Sequence, residues 1–154
     1  MKKILVKSVY DAFDYVLDHY YPAKLEEYAV LRDNYAVISI QDTHTEGFGF
    51  VFSESMFCRG VLTLYFDDIE SPVEGAVLFS EEQAADIMEF IKSCIDAETL
   101  LIHCYGGESR SRAVGAFAAE MLGGDSSPYF ETGHPNRHVY ETLRRVYRRQ
   151  QVKG

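Results

Sequence analysis

The chain has 154 residues, 47% apolar and 25% charged, with eleven Tyr and ten Phe; this bounds it to one domain over residues 1–154 and excludes wholesale disorder. No apolar run reaches the roughly 20 residues that span a bilayer, and three cysteines are too few for a disulfide scaffold, which points to a reducing, cytoplasmic setting. The net charge is −9, and residues 1–140 alone carry −13, so the body repels nucleic acid and anionic membrane.

Ile4-Leu5-Val6 reads as a short strand. The stretch around it is too short and too polar for a secretory signal. Ser8 caps a helix whose face is Val9, Ala12, Phe13, Val16, Leu17 and Tyr20, and Pro22 ends it. Tyr35 to Ile40 is an apolar, β-rich run and predicts a central strand. Gln41 to Glu46 follows as a loop, and Phe48 to Phe52 is a weak strand or loop. Val61 to Phe66 predicts a strand that runs into Asp67-Asp68 and a loop with Pro72 and Gly75.

Ser80-Glu81-Glu82-Gln83 is a capping box. The helix behind it turns Ala84, Ile87, Met88, Ile91, Cys94 and Ile95 to one side. Thr99 to His103 is a short buried strand, and Ser109 to Leu122 an Ala-rich buried helix stopped by Gly123-Gly124. Residues 125–135, with Pro128, Gly133 and Pro135, read as loop. The last helix runs from Asn136 to Gln150 with Val139, Leu143, Val146 and Tyr147 inward. Its arginines, Arg144, Arg145, Arg148 and Arg149, read as a solvated face that favours the negative end of the helix dipole. Strands alternating with helices predict an α/β fold with a mainly parallel central sheet flanked by helices.

Chemistry concentrates in Leu100 to Gly115. Cys104 ends a strand, five residues follow, and Arg110 opens a helix. In an open α/β sheet, ligands bind at that edge. Gly106 and Gly107 let successive amides turn inward as an anion nest, and the helix N-terminus adds unpaired N–H groups. The Arg110 fork suits two phosphate oxygens. A thiol in such a setting favours the thiolate, so Cys104 is the candidate nucleophile. Cysteine, five residues, then arginine is weak alone. Cys58 and Cys94 lack it, with Leu64 and Leu100 six positions on. The His103 before it, the Gly-Gly inside, Ser111 after the Arg, the strand before and the helix behind give the pattern its weight. His19, His44, His134 and His138 show no metal-ligand spacing and read as solvent-exposed, and no metal or cofactor is expected.

His103-Cys104-Tyr105-Gly106-Gly107-Glu108-Ser109-Arg110-Ser111 resembles the phosphate-binding loop of the cysteine-dependent protein tyrosine phosphatases. The short length is similar to their dual-specificity branch, and Pro135 to Tyr140 is similar to the start of the last helix in small bacterial members. The resemblance implies a protein phosphatase acting on phosphotyrosine and also on phosphoserine or phosphothreonine, with a phosphorylated protein or peptide as partner. It implies that Cys104 attacks phosphorus, that Arg110 and the amides of residues 105–110 hold the oxygens, and that Ser111 stabilises the departing thiolate. It makes His103 an orienting residue and Tyr105, Gly106, Gly107, Glu108 and Ser109 the rest of the phosphate site. It also implies a general acid from the loop after the preceding strand. Leu62, Leu64 and Phe66 share one face by the two-residue period, and Asp68 continues that register, so Asp68 is chosen over Asp67. Glu108 departs from the family pattern and, if turned outward, disfavours highly anionic substrates. Two other readings compete: a non-catalytic phosphopeptide-binding module, and a related thiol enzyme such as an arsenate reductase or sulfur transferase. A reductase needs another cysteine, and Cys58 and Cys94 are the candidates to pair with Cys104; a sulfur transferase typically has a shorter or differently charged loop and needs no acid like Asp68.

Overall fold

The structure is a computed structural model and describes residues 1, 3–21, 33–44 and 52–153. The stop expected at Pro22, the end of the loop at Thr45-Glu46 and most of the weak segment at Phe48–Val51 lie outside the described residues. Four strands form one parallel sheet: β1 (Lys3–Ser8), β2 (Tyr35–Gln41), β3 (Cys58–Tyr65) and β4 (Thr99–Cys104), in the order β1-β4-β2-β3. The two inner strands, β2 and β4, are buried along their whole length. A strand covered on both faces needs a continuous apolar run, and Tyr35–Ile40 and Leu100–Ile102 supply it.

Five helices are described: α1 (Val9–Tyr20), α2 (Glu81–Ser93), α3 (Arg110–Met121), α4 (Ser127–Glu131) and α5 (Arg137–Lys153). The two-residue period of the strands divides the core. Ala36, Ile38, Ile40, Leu100, Ile102 and Cys104 face α2, α3 and α5. Tyr35, Val37 and Leu101 face α1, where they meet Ala12, Val16 and Tyr20. The Ser80 capping box forms as expected, with reciprocal bonds of 3.1 Å to Gln83. Leu17 and Ile95, assigned inward by periodicity, are about half exposed at 55% and 48%, because each lies at the margin of its stripe.

α3 is buried on nearly every side, which its small residues permit. A Cβ on Gly115 would lie 2.5 Å from Val6 and 2.9 Å from the Tyr129 ring. Two expectations are corrected. Residues 125–135 contain α4, started by Pro128 in its first turn and by Asp125, which accepts the Ser127 N–H at 2.9 Å. The α5 arginines are not simply solvated: Arg145 and Arg149 both reach Glu81 in the first turn of α2, at 3.3 and 2.9 Å. Being exposed, these pairs direct the packing of α5 on α2 more than they stabilise it. Among the described residues, no helix is long and apolar enough to cross a membrane.

Candidate active site

Parallel pairing sets Cys104 at the end of β4 level with Ser8 at the end of β1. The chain then turns through residues 105–109 into α3. The Val9 N–H donates to the Tyr105 carbonyl at 3.1 Å, which ties the loop to the start of α1. Gly107 has φ +74, and a Cβ there would lie 2.6 Å from the Lys7 carbonyl carbon and 2.7 Å from the Ser8 nitrogen. No side chain fits, on backbone or steric grounds. Gly106 has no atom within 4 Å of such a Cβ. Gly107→Ala is therefore expected to cost about 2–3 kcal/mol, read as a fall in Tm of roughly 5–10 °C, with Gly106→Ala near wild type. Equal melting curves for the two variants would contradict this account.

Cys104 is 3% exposed. Its Sγ lies 3.0 Å from Ser111 Oγ and accepts the Gly107 N–H at 3.3 Å. The α3 N-terminus adds its dipole, with no acidic residue in the first turn and no side-chain cap. Arg110 is also buried, and Nη1 donates to Asp42 Oδ1 at 2.8 Å and to the Phe66 carbonyl at 2.9 Å. Its buried Nε has no partner among the described residues. Asp42 and Phe66 thus hold one corner of the guanidinium and leave the Nε edge uncommitted.

His103 is fully buried below the loop. Burial, and the nearby Arg110 charge, push its pKa down, although its bond to the Cys104 carbonyl opposes this. The neutral ring donates from Nδ1 to that carbonyl at 3.2 Å, so Nε2 accepts from Ser39 Oγ at 2.6 Å. Gln41 Nε2 donates to the same Ser39 oxygen at 2.8 Å. Ser39 pairs with His103 across β2 and β4, and the strand runs on through Gln41, expected to open the loop.

The two aspartates after β3 diverge. Asp67 is 8% exposed and turned inward. It accepts the Val77 N–H at 2.7 Å and the Thr43 hydroxyl at 2.8 Å, with His44 Nε2 at 3.6 Å. Burial pushes its pKa up, but these bonds and the His44 charge outweigh it and hold the carboxyl below its ordinary value. Asp68 is exposed, and its Oδ1 accepts Ser109 Oγ at 2.7 Å and Asn136 Nδ2 at 2.9 Å. A cleft of about 350 Å³ is lined by Asp68 together with Cys104, Arg110, Glu108, Tyr105 and His134. Asp67 is not part of it. Tyr105 is 55% exposed and meets Tyr10 edge-on, with ring centroids 6.3 Å apart. Glu108 is exposed at the rim.

Four residues of the site were not singled out by sequence reasoning. Asp42, Ser39 and Gln41 buttress Arg110 and His103. Asn136 is buried, caps α5 by accepting the Val139 N–H at 3.0 Å, and also bonds Asp68 and the Ile69 carbonyl. A polar pair two apart at the end of an apolar strand, and an Asn three before a helical Val, were the available signals. His44 and His134 are exposed as expected. His19 and His138 are half-buried and bonded, to Asp33 at 3.1 Å and to the Phe79 carbonyl at 2.9 Å.

The other thiols lie at the far edge of the sheet. Tyr35 aligns with both Cys58 and Thr99, so Cys58 is level with the start of β4, five residues before Cys104. Cys94 caps the end of α2 and leads into that same edge. A disulfide from either to Cys104 is excluded, since five strand residues span about 16 Å and a bridge spans roughly 4.4–6.8 Å between Cα atoms.

No protein-family model matches the sequence, and no curated protein matches it. Solved structures do match. Human tyrosine phosphatase-like serine/threonine/tyrosine-interacting protein is similar at 19% identity and TM-score 0.53, over 86% of this chain and 89% of that one. Tk-PTP in its active form is similar at 17% identity and TM-score 0.53, over 97% and 93%. Human DUSP28 is similar at 15% identity and TM-score 0.50, over 98% and 95%. The chain has the fold of tyrosine and dual-specificity phosphatase structures.

Proposed function

We propose that the protein is a cysteine-dependent phosphatase of phosphorylated proteins, acting on phosphotyrosine and, in the same cleft, on phosphoserine or phosphothreonine. The observation that carries this reading is the meeting of Cys104, buried Arg110 and Asp68 in one cleft. Cys104 Sγ attacks phosphorus, and the P–O bond to the substrate breaks as Asp68 passes its proton to the leaving oxygen. The loop amides of Tyr105, Gly106, Gly107, Glu108 and Ser109, with Arg110, hold the equatorial oxygens. Water then attacks the phosphocysteine while Asp68 takes up a proton. The S–P bond breaks, Ser111 donates to the departing sulfur, and inorganic phosphate leaves. His103 acts from below, fixing the Cys104 carbonyl.

Glu108 at the rim and the acidic body favour singly phosphorylated peptides over polyanions, nucleic acid or membrane lipid. Three free thiols suit the cytoplasm. The likeness of residues 135–140 to small bacterial phosphatases belongs to this same reading. An arsenate reductase is disfavoured because neither Cys58 nor Cys94 can reach Cys104, and a sulfur transferase because it has no need of an acid such as Asp68. A binding module has one support, since the first similar structure is named an interacting protein. Against it stands the full set of Cys104, Arg110 and Asp68.

The test is hydrolysis of p-nitrophenyl phosphate and of a phosphotyrosine peptide in chelator with reductant, with acid quench to trap phosphoenzyme. Turnover that survives chelation and passes through a trapped phosphocysteine is expected. Absence of turnover across pH 5–8 would overturn the catalytic reading.

A further inference from the structure

Beside the catalytic cleft lies a larger hollow, of about 620 Å³. His134 lines both, so the two adjoin at that residue. The hollow is built by α4, the turn after it and the first turns of α5. Phe130, Tyr140 and Pro135 contribute its apolar surface. Phe130 is 47% exposed and packs edge-on against Tyr140, with centroids 5.0 Å apart.

The ionic groups of the lining are committed or balanced. Glu70 accepts the Arg137 N–H at 2.8 Å. Arg144 pairs with Glu120 at 3.6 Å and lies over the Tyr140 ring. Arg137 and Glu141 stand one turn apart on α5 with opposite charges. The lining carries two acidic and two basic side chains, Glu70 and Glu141 against Arg137 and Arg144, so neither sign predominates. The exposed Phe130 ring and Pro135 give this mixed lining an apolar side, in a concavity of ligand size.

The scaffold is also rigid. Arg112 donates from Nε to the Tyr129 carbonyl at 2.7 Å and from Nη2 to the Pro128 carbonyl at 2.9 Å. The Tyr140 hydroxyl bonds Glu120. The Glu108 carbonyl of the phosphate loop accepts the His134 N–H at 3.0 Å, which fixes the hollow relative to Cys104.

We propose that this hollow is a specificity pocket that receives one large apolar side chain, aromatic or aliphatic, flanking the phosphorylated residue of a protein substrate. The inference rests on the phosphatase reading above. A peptide whose phosphate sits over Cys104 must lay its chain across the rim, and His134 leads from there into the pocket. Burying such a side chain against Phe130 and Tyr140 supplies apolar binding energy that the phosphate site itself does not.

The experiment uses phosphotyrosine heptapeptides on a Ser/Asn background, with one Phe placed at each flanking position in turn. At one position Phe is expected to raise kcat/KM of the full chain by about tenfold. Phe130→Ala should lose that gain and Phe130→Leu should keep part of it. All three proteins should hydrolyse p-nitrophenyl phosphate alike, because that substrate does not reach the pocket. No positional preference in the wild type, a preference that survives in Phe130→Ala, or a preference for Asp or Glu over Phe would overturn the pocket. If nothing is hydrolysed, binding of the same peptides is read by fluorescence anisotropy. Phe-dependent binding lost in Phe130→Ala then sinks the catalytic reading and upholds the pocket, and no such binding overturns both.

Discussion

Cys104→Ser is expected to lower hydrolysis of p-nitrophenyl phosphate on the order of 10⁵-fold while leaving the fold intact. The sulfur and the hydroxyl differ little in size, and the site is buried, so the loop closes around either. What changes is chemistry. The Gly107 N–H and the Ser111 hydroxyl lie 3.3 and 3.0 Å from the Cys104 sulfur. A thiol is a far better nucleophile than an alcohol, so the serine hydroxyl does not take over the attack on phosphorus. The serine variant should therefore still bind phosphopeptide, and anisotropy titration would show it. Activity within tenfold of wild type would exclude Cys104 as nucleophile.

The second expectation sets two neighbours against each other. Asp68→Asn should slow hydrolysis of phenyl phosphate by about 10²–10⁴-fold. The loss on p-nitrophenyl phosphate should be much smaller, because that leaving group departs readily without a proton. Asp67→Asn should show the reverse pattern, with turnover little changed and stability lower by about 2 kcal/mol at neutral pH. The pH dependence follows from the depressed carboxyl of Asp67. Its stabilising contribution is complete above the unfolded value of about 3.9 and is lost as pH falls through the lower folded value. The stability gap between wild type and Asp67→Asn should therefore narrow below about pH 4. Denaturant melts at several pH values measure it. A gap that widens in acid, or a leaving-group effect confined to Asp67→Asn, would reverse the assignment.

Much of the fold was legible because its signals are local. The buried strands announce themselves as apolar runs, and the Ser80 box and the Gly123-Gly124 stop are short patterns with one structural meaning. The loop of the candidate site was equally plain, since Cys104 through Ser111 is one continuous segment. The buttresses were not. Asp42 serves Arg110 from 68 residues away in the chain, and Asn136 serves Asp68 across the same separation. Nothing near either residue in sequence names its partner. Ser39 and Gln41 were hidden differently, as polar residues at the end of a strand whose importance depends on His103 lying beside it. The α4 turn was missed because Pro128 was weighed as a breaker, whereas in a first helical turn it loses no bond.

The separation of the thiols bears on how the protein ages in air. Oxidation of Cys104 to a sulfenic acid is ordinarily arrested when a nearby thiol condenses with it. Here the other two cysteines lie at the opposite edge of the sheet, so no thiol of the same chain can do so. Among thiols, those supplied from outside are then the ones that compete with further oxidation to the irreversible sulfinic acid. Inactivation by peroxide is expected to be rescued by a small thiol present during exposure and not by one added afterwards, with intact mass reporting the added oxygen atoms.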